Sequence, residues 1–409
     1  MNKLCFYKEI KLIPFQIGEV SQEWKVIQFK DILINKKNGI IKGKKTIKGY
    51  GEKYPYLTVE YLRTGNVKEK SILVDKRLLV NQKDLLLLWD GSNAGEFFKG
   101  KTGILSSTMI KFVFDEKKNI DFDFIFYCAK KFVQPILKNS TKGTGIPHVD
   151  KNILLNSLIP LPPLAEQKAI VQVLKDIDDL IEIVENQIKT LQRIKRALME
   201  KYFSEGVFEH KEFRKTKIGR IPKEWEVNKL GNVAKIIMGQ SPPSTTYNTQ
   251  GIGMPFLQGK AEFGNVHPSE TKYTTKPLKI AKIGSVLISV RAPVGDVNIA
   301  DKEYCIGRGL ASIKVLKVDN FFLFYFLHKE RTKLQQCSCG STFQAIKKEH
   351  LENFLIPLPP IEEQKEIAHR LKEIDEVIEN RKKEKEHLIR IKKKMMDLLL
   401  TGKVRIMEC

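Results

Sequence analysis

Residues 159–163 read Ile-Pro-Leu-Pro-Pro, and residues 166–168 read Glu-Gln-Lys. Both stretches return 197 positions later, at residues 356–360 and 363–365. In each copy the paired prolines stop any preceding strand, and proline suits a helix start because the first helical N–H groups have no partner within the helix. The doubled stretch therefore predicts two helices with the same beginning, and such a repeat sets the architecture of the whole chain.

Each Glu-Gln-Lys is followed by a helical pattern with one narrow apolar stripe. In the first copy the stripe is Ile170, Leu174, Ile177, Ile181, Val184, Ile188, Leu191, Ile194 and Leu198. In the second it is Ile367, Leu371, Ile374, Ile378, Leu388, Ile391 and Met395, with Arg381 and Lys385 at the positions of Val184 and Ile188. Alternating steps of three and four are typical of a coiled-coil seam.

A helix of about 40 residues is about 60 Å long and cannot bury such a stripe alone. We expect the two helices to pack against each other in opposite directions. The alternative is that each helix packs on its own globular neighbour or on another subunit.

The globular segments also repeat. Ile17-Gly18 with Glu23-Trp24 returns as Ile218-Gly219 with Glu224-Trp225, and each Trp is expected to be a core or domain-junction anchor. Further matched features are expected strands at 54–58 and 254–258, buried strands at 84–88 and 285–290, turns at Gly95 and Gly295, and helical runs at about 122–137 and 321–334.

The predicted fold class is α+β, with two mixed α/β domains separated by two long antiparallel coiled-coil helices and related by a pseudo-two-fold axis. The predicted divisions are an N-terminal extension (1–16), a first domain (17–158), a first spacer helix (159–204), a second domain (205–355) and a second spacer helix with the C-terminal tail (356–409).

Positive charge is concentrated in the globular segments. The formal net charge is +23; residues 17–158 carry 25 Lys and Arg against 15 Asp and Glu, and residues 204–360 carry 23 against 14. The helices are nearly neutral, with 7 against 7 in 164–203 and 13 against 11 in 361–409. Two basic globules favour a polyanionic partner contacted at two places, although a lysine-rich solvated surface is the plain alternative.

Motifs for other chemistries are missing from the sequence. It has no phosphate-binding P-loop, no tetrapeptide of the kind that clamps an extruded adenine, and no paired histidine spacing. The six cysteines, including Cys337 and Cys339, have no zinc-site or disulfide spacing. Glu166 with Lys168 and Glu363 with Lys365 imitate part of a metal-dependent nuclease site but are better explained as first-turn charges and inter-helix contacts. The irregular cysteine spacing favours a reduced cytoplasmic protein. No apolar run approaches the length needed to span a bilayer.

The order of globule, Ile-Pro-Leu-Pro-Pro with a Glu-Gln-Lys helix, second globule and second such helix resembles the specificity subunit of a type I restriction-modification enzyme. The resemblance extends from about Ile17 to Arg405. It implies two target recognition domains, each reading one half of a bipartite, asymmetric site on double-stranded DNA, with the paired helices as a ruler between them.

The resemblance also implies that this chain has no catalytic residue, metal site or cofactor of its own. Two methyltransferase subunits would supply S-adenosylmethionine chemistry, and restriction subunits would supply ATP- and Mg-dependent cleavage. The alternatives are a coiled-coil scaffold that does not recognise DNA and an enzyme with an unrecognised site.

On this reading, Lys and Arg should contact phosphates and a few polar side chains should contact base edges. Candidate phosphate contacts in the first domain are Lys42, Lys44, Lys45, Lys48, Lys99, Lys101 and Lys142, all in glycine-punctuated stretches. Candidates in the second domain are Gln240, Ser241, Thr245, Tyr247 and Asn248 in a Pro/Ser/Thr-rich loop, with Arg291 and Arg308 beside turns at strand ends. A solvated surface role is the alternative for each of them.

Overall fold

The computed structural model of the chain describes residues 4–6, 10–16, 18–34, 39–140, 147–336 and 345–408. It divides into two compact units. The first unit is Met1–Ile183 with Glu384–Cys409, and the second is Val184–Lys383. Each long helix therefore contributes one part to each unit. Lys142, Cys337 and Cys339 lie outside the described residues, as does Ile17 of the first repeated opening.

The described residues form ten α-helices. They are α1 (Val59–Thr64), α2 (Phe122–Cys128), α3 (Gln134–Ser140), α4 (Lys151–Asn156), α5 (Leu164–Glu205), α6 (Leu230–Val233), α7 (Asn320–Lys329), α8 (Arg331–Gln336), α9 (Lys348–Glu352) and α10 (Ile361–Leu399).

The strands of the first unit are β1 (Leu4–Phe6), β2 (Leu12–Pro14), β3 (Glu19–Ser21), β4 (Lys25–Gln28), β5 (Ile40–Lys42), β6 (Lys53–Leu57), β7 (Lys70–Ile72), β8 (Leu79–Val80), β9 (Leu85–Leu88), β10 (Phe97–Lys99), β11 (Gly103–Leu105), β12 (Met109–Phe112), β13 (Leu158–Leu161) and, at the other end of the chain, β27 (Ile406–Glu408).

Those of the second unit are β14 (Phe213–Thr216), β15 (Gly219–Pro222), β16 (Glu226–Lys229), β17 (Ala234–Met238), β18 (Tyr247–Asn248), β19 (Met254–Leu257), β20 (Tyr273–Thr274), β21 (Ile280–Ala281), β22 (Val286–Ser289), β23 (Val297–Ile299), β24 (Tyr304–Ile306), β25 (Leu310–Val315) and β26 (Leu355–Leu358).

The two units have the same sheet topology. In the first, one antiparallel sheet has the order β10-β9-β12-β5, and in the second the matching order is β23-β22-β25-β17. A second sheet, β7-β6-β11-β8, corresponds to β20-β19-β24-β21, to which β18 is added. The predicted buried strands are confirmed, because every residue of β9 and β22 is buried. The repeat predicted from the sequence is thus a repeat of fold.

The long helices begin where the prolines predict. Pro162-Pro163 follows the end of β13 and α5 starts at Leu164, while Pro359-Pro360 follows β26 and α10 starts at Ile361. Each helix is followed closely by a glycine with positive φ, Gly206 at 80° and Gly402 at 70°. Glycine adopts this conformation without a Cβ clash, so it suits the end of a helix.

Within each unit the two helical segments run antiparallel. In the first unit, Asp178 of α5 accepts a hydrogen bond from Lys392 of α10. In the second unit, Lys195 of α5 donates to Asp375 of α10 at 2.6 Å. Within the second unit, Tyr202, which is later in α5 than Lys195, bonds Arg370, which is earlier in α10 than Asp375. Within the first unit, Glu166, which is earlier than Asp178, bonds Arg405, which is later than Lys392. The order of partners is reversed in both units, which confirms the predicted intramolecular antiparallel pairing.

The predicted stripe is wrong at one repeated position. Ile194 is 44% exposed and its counterpart Ile391 is 37% exposed. The next residues, Lys195 and Lys392, turn inward instead because each ammonium pairs with an aspartate of the facing helix. The seam at this level is therefore ionic rather than apolar.

A buried carboxylate joins the start of each long helix to the repeated Trp. Trp24 Nε1 donates to Glu166 Oε2 at 3.2 Å, and Trp225 Nε1 donates to Glu363 Oε2 at 2.9 Å. Both Trp residues are buried, which confirms their prediction as anchors. Both glutamates lie in the first turn of their helix, as predicted. Their interpretation as first-turn charges and inter-helix contacts is incomplete, because they are 1% and 0% exposed and accept hydrogen bonds from the domain packed against the helix.

The neighbouring glutamines make a second repeated link. Gln167 Oε1 accepts from Asp121 N and Gln364 Oε1 accepts from Asp319 N, both at 2.8 Å. Those aspartates are the N-caps of α2 and α7. The Glu-Gln pair therefore fixes the domain on the helix start, whereas Lys168 of the same motif is exposed.

The N-terminal strands belong to the first unit. Leu4 of β1 pairs with Glu408 of β27, and β2 pairs with β3 across the predicted boundary between residues 16 and 17. The β2–β3 hairpin corresponds to β14–β15 of the second unit.

Candidate nucleic-acid interface

Three neighbouring strands of the second unit end side by side. Met238 of β17 pairs with Ala311 of β25, and Ser289 of β22 pairs with Leu310. The pairing continues one step further, because Gly239 N donates to Leu310 O and Val290 N donates to Gly309 O, both at 2.9 Å. This register brings together four of the predicted contacts, which we call the second strand-end surface: Gln240, Ser241, Arg291 and Arg308.

Arg308 lies at the tip of a tight turn between β24 and β25. Gly307 N donates to Leu257 O at 2.7 Å, and Ser241 Oγ accepts from Arg308 N at 3.2 Å. A Cβ on Gly309 would lie 2.6 Å from Gln258 O, so the close approach of the two backbones requires glycine there. The turn therefore holds the Arg308 side chain out from the sheet end.

The second strand-end surface is polar and accessible. Gln240, Arg291 and Arg308 are exposed, and neither guanidinium is ion-paired with a residue in the described part of the chain. Arginine can bind guanine O6 and N7 with two hydrogen bonds, and glutamine can do the same with adenine N6 and N7. The arrangement is chemically suited to reading base edges.

The first unit has an equivalent surface with the same register. Lys42 of β5 pairs with Ile110 of β12, and Leu88 of β9 pairs with Met109. Gly43 N donates to Met109 O at 3.0 Å and Trp89 N donates to Thr108 O at 2.8 Å, as Gly239 and Val290 do in the second unit. The first strand-end surface consists of Lys42, Lys44, Lys45, Asp90 and Ser107.

The two surfaces differ in charge. Asp90 occupies the position of Arg291, and its carboxylate pairs with Lys42 Nζ at 2.9 Å. The same ammonium lies 6.0 Å from the centre of the Trp89 ring. Lys44 and Lys45 are exposed. The same strand register thus presents two arginines in the second unit, and lysines with an ion-paired aspartate in the first unit.

Lys99 and Lys101 lie elsewhere. Lys99 is opposite Leu85 in the β9–β10 pair, at the end of the sheet away from the first strand-end surface. Its Nζ is 2.6 Å from Asp123 Oδ1. Burial favours the neutral form of Asp123, but Lys99 and Lys175 outweigh it and lower the pKa of this carboxyl. Lys101 Nζ donates to Tyr61 O at 3.3 Å. Both ammonium groups are already engaged, and their contact with DNA remains a prediction.

The loop residues of the second unit have structural partners. Tyr247 donates its hydroxyl proton to Pro242 O at 2.8 Å, and its ring centre lies 4.7 Å from that of Phe256. The Asn248 side chain binds both backbone groups of Ile252. Thr245 is exposed, as is Lys48 on the corresponding segment of the first unit.

Gln258 also lies beside the second strand-end surface but was not among the predicted contacts. This exposed residue directly follows β19, and its backbone oxygen is the atom that approaches Gly309. Its position at the end of the strand expected at 254–258 was the available signal. Among the described residues no group of three or more His, Cys, Asp or Glu could hold a metal ion. No helix in the described ranges is long and apolar enough to cross a membrane.

Residues 21–193 and 222–390 each match the family described as type I restriction modification DNA specificity domain. The chain belongs to this family. The putative type I restriction enzyme MjaX specificity subunit of Methanocaldococcus jannaschii is 44% identical to this specificity chain over 98% of the chain and 99% of the relative. The MjaVIII specificity subunit of the same organism is 40% identical over 98% and 97%.

Solved structures of the family share the fold. A chain from a structure described as the basis of complex assembly and conformational transition of the type I R-M system has a TM-score of 0.61 and 26% identity, with 95% of this chain and all of that chain covered. The type I restriction-modification S subunit of M. genitalium has a TM-score of 0.58 at 15% identity over 92% and 96% of the two chains. The family match confirms the resemblance identified from the repeated motifs.

Proposed function

We propose that the chain is the DNA specificity subunit of a type I restriction-modification complex and that each unit reads one half of a bipartite, asymmetric DNA site. The observation that carries this proposal is the pair of strand-end surfaces. They have the same backbone register, and different side chains occupy equivalent positions, Arg291 against Asp90 and Arg308 against Ser107. An asymmetric DNA site requires two equivalent recognition surfaces that carry different side chains.

The helix pair would set the spacer between the half-sites and bind two methyltransferase subunits, through which restriction subunits join the complex. S-adenosylmethionine, ATP and Mg would then be bound by those subunits and not by this chain, which would have no catalytic activity. Support comes from the family match and from the name of the solved relative, which describes complex assembly. Cellular DNA as the substrate makes the cytoplasm the expected location.

Two measurements test the proposal. Sequencing of methylated sites in the source genome should give a bipartite motif. Gel shifts with a duplex carrying that motif, and with one in which both half-sites are scrambled, should then show selective binding by the full chain combined with its methyltransferase subunits. A scaffold without DNA recognition would bind neither duplex selectively, and turnover by the chain alone would contradict the non-catalytic assignment.

A further inference from the structure

In each unit, a segment leads from the strand-end surface to a loop tip in which two glycines flank an apolar residue. The first segment is residues 43–51 and ends in Gly49-Tyr50-Gly51. The second is residues 239–253 and ends in Gly251-Ile252-Gly253. All four glycines have positive φ, at 147°, 141°, 81° and 90° in chain order. Such values favour glycine, so both tips have a backbone that few other residues could adopt.

The apolar residue at each tip is held in solvent. Tyr50 has a relative exposure of 106% and Ile252 of 59%. Water-exposed apolar side chains contribute nothing to folding through burial. The two tips precede equivalent strands, β6 and β19, and each presents an exposed apolar side chain. Such a pair of exposed side chains calls for a reason outside the folded chain.

The second tip is built to stay in place. Asn248 Oδ1 accepts from Ile252 N at 3.0 Å, and Asn248 Nδ2 donates to Ile252 O at 2.8 Å. A Cβ on Gly253 would lie 2.3 Å from Thr274 O, so the loop lies directly on β20. The Asn248 side chain therefore positions Ile252, and its predicted contact with a base remains a prediction.

The first tip is anchored on both sides. Ile47 N donates to Ser71 Oγ at 2.9 Å, and Ile72 N donates to Ile47 O at 3.1 Å. After the tip, Leu73 N donates to Glu52 O at 3.4 Å. Tyr50 is therefore presented by a loop fixed to β7, as Ile252 is presented by a loop fixed to β20.

The tip and the strand-end surface lie at opposite ends of one strand. β19 begins just after Gly253 and ends at Leu257, whose oxygen accepts from Gly307 of the Arg308 turn. The five steps from Ile252 to Leu257 span at most about 17 Å at about 3.3 Å per residue. That length equals about five base pairs of B-DNA at about 3.4 Å each. The connecting segments carry the exposed Lys44, Lys45 and Lys48 in the first unit and the exposed Ser244 and Thr245 in the second.

We propose that Tyr50 and Ile252 are apolar DNA contacts, each pressed against bases in a groove at the end of the half-site away from the strand-end turn. This inference rests on the proposed function. Isoleucine suits contact with a thymine methyl group, and an aromatic ring can stack on or wedge between bases. The differing side chains would add sequence preference to each half-site.

The test is fluorescence anisotropy of the full chain in complex with its methyltransferase subunits. The probes are a duplex carrying the methylated motif of the source genome and a duplex with both half-sites scrambled. Ile252→Ala should weaken binding to the motif duplex about tenfold, because the apolar surface that isoleucine buries beyond alanine contributes about a factor of ten to the affinity. The slope of log Kd against log salt should not change, because no phosphate contact is removed. By contrast, Lys45→Ala should reduce that slope by about one if it contacts a phosphate.

Ile283→Ala is the matched control. Ile283 is 70% exposed and precedes a glycine with positive φ, like Ile252, but it lies in the turn before β22 and belongs neither to the second strand-end surface nor to the segment 239–253. It should leave the affinity unchanged. For the first unit, Tyr50→Ala should also weaken binding about tenfold, and Tyr50→Phe should retain wild-type affinity because the ring is kept.

Three outcomes would overturn the inference. The first is unchanged affinity in both alanine variants, and the second is an equal loss of affinity on the scrambled duplex. The third is a loss that accompanies dissociation of the methyltransferase subunits in size-exclusion chromatography, which would assign the tips to a protein partner. If the wild-type complex does not prefer the motif duplex, the proposed function itself fails, before any variant is compared.

Discussion

Glu166 and Glu363 occupy equivalent buried positions, but their cationic partners differ. Arg405 binds Glu166 with two hydrogen bonds, Nε at 3.0 Å and Nη2 at 2.9 Å. Glu363 is bonded instead by His210 Nε2 at 2.9 Å. A guanidinium stays charged at any physiological pH, whereas an imidazole titrates near neutrality. The same junction is therefore built once with a permanent charge and once with a titratable one.

The first prediction concerns the permanent pair. Glu166→Gln removes the buried one of the two carboxylates that pair with Arg405, whose side chain is 3% exposed. The other carboxylate, Glu23, is 60% exposed and leaves the buried guanidinium only partly compensated. Breaking a buried ion pair costs about 3–5 kcal/mol because the remaining charge is left buried. Because Glu23 still pairs with Arg405, the free energy of unfolding in urea, followed by Trp fluorescence, should fall by up to that amount. Glu182→Gln, at an exposed position of the same helix, should change it by less than about 0.5 kcal/mol.

The second prediction concerns pH. Burial opposes the charged form of His210, but the hydrogen bonds that the charged ring donates to Glu363 and Glu224 outweigh it and raise the pKa of the imidazole. Because the pKa of His210 is higher in the folded state, its charged form stabilises the fold. This contribution is fully present below the unfolded-state pKa of about 6.5 and is lost as pH rises through the folded-state pKa. An NMR titration of His210 should show the raised pKa. Unfolding free energies measured between about pH 6 and 9 should decline in the wild type and decline less in His210→Gln; identical slopes would contradict the assignment.

At the scale of the helices, α5 and α10 are joined by a repeated three-residue network. Asp375 accepts from Lys195 at 2.6 Å and from Tyr325 of α7 at 2.9 Å, and Asp178 is bonded in the same way by Lys392 and Tyr127. Burial and the neighbouring carboxylate raise the pKa of both phenols, which therefore remain donors. Each network connects both long helices to a third helix, α2 in the first unit and α7 in the second.

The third prediction follows from this network. Asp375→Ala leaves Lys195 and Tyr325 without their common acceptor, and hydrogen bonds to a charged group contribute about 1.5–3 kcal/mol. We expect the unfolding free energy to fall by about 2–3 kcal/mol. Glu376→Ala is the neighbouring control: its side chain is 63% exposed and lies 3.9 Å from Lys372, so its loss should cost less than about 1 kcal/mol. Equal effects of the two substitutions would show that the network adds no stability.

At the scale of the whole molecule, both long helices pass from one compact unit to the other. The inter-helix ion pairs lie within the units, Asp178–Lys392 in the first and Lys195–Asp375 in the second. The stretch between them can therefore be lengthened without separating either pair. This gives a direct way to test the predicted ruler.

The fourth prediction uses matched insertions. Seven helix-forming residues after Ile183 and seven after Lys383 lengthen both helices by about 10.5 Å and keep a heptad seam in phase. If the helices set the spacer, the methylated motif should gain about three unread base pairs while both half-site sequences stay the same. The insertion in α5 alone breaks the antiparallel register and should abolish methylation. An unchanged spacer in the double insertion would refute the ruler.

The local parts of the fold could be predicted from the sequence. Pro162-Pro163 and Pro359-Pro360 placed both helix starts, and continuous apolar runs identified β9 and β22 as buried strands. The candidate site was predictable only in part. Arg291 and Arg308 were identified because they flank turns, but nothing local indicated that Lys99 pairs with Asp123 or that Asn248 supports Ile252. The Lys99–Asp123 pair depends on which segment lies beside the strand. The Asn248–Ile252 contact spans four positions and depends on the conformation of an irregular loop, which apolar periodicity does not describe.

The sequence by itself determined the two-fold repeat, the helix starts and which strands are apolar and buried. Proline geometry and hydrophobic periodicity act within a few residues, so these features can be recognised locally. The tertiary structure alone decided which charges are buried and which are presented. Glu166 and Glu363 became buried acceptors, Lys195 and Lys392 took the inward positions from Ile194 and Ile391, and strand register joined Gln240, Ser241, Arg291 and Arg308 in one surface. The physical reason is that burial and pairing energies depend on partners far away in the chain: the partners of Asp178 are Tyr127, 51 positions away, and Lys392, 214 positions away.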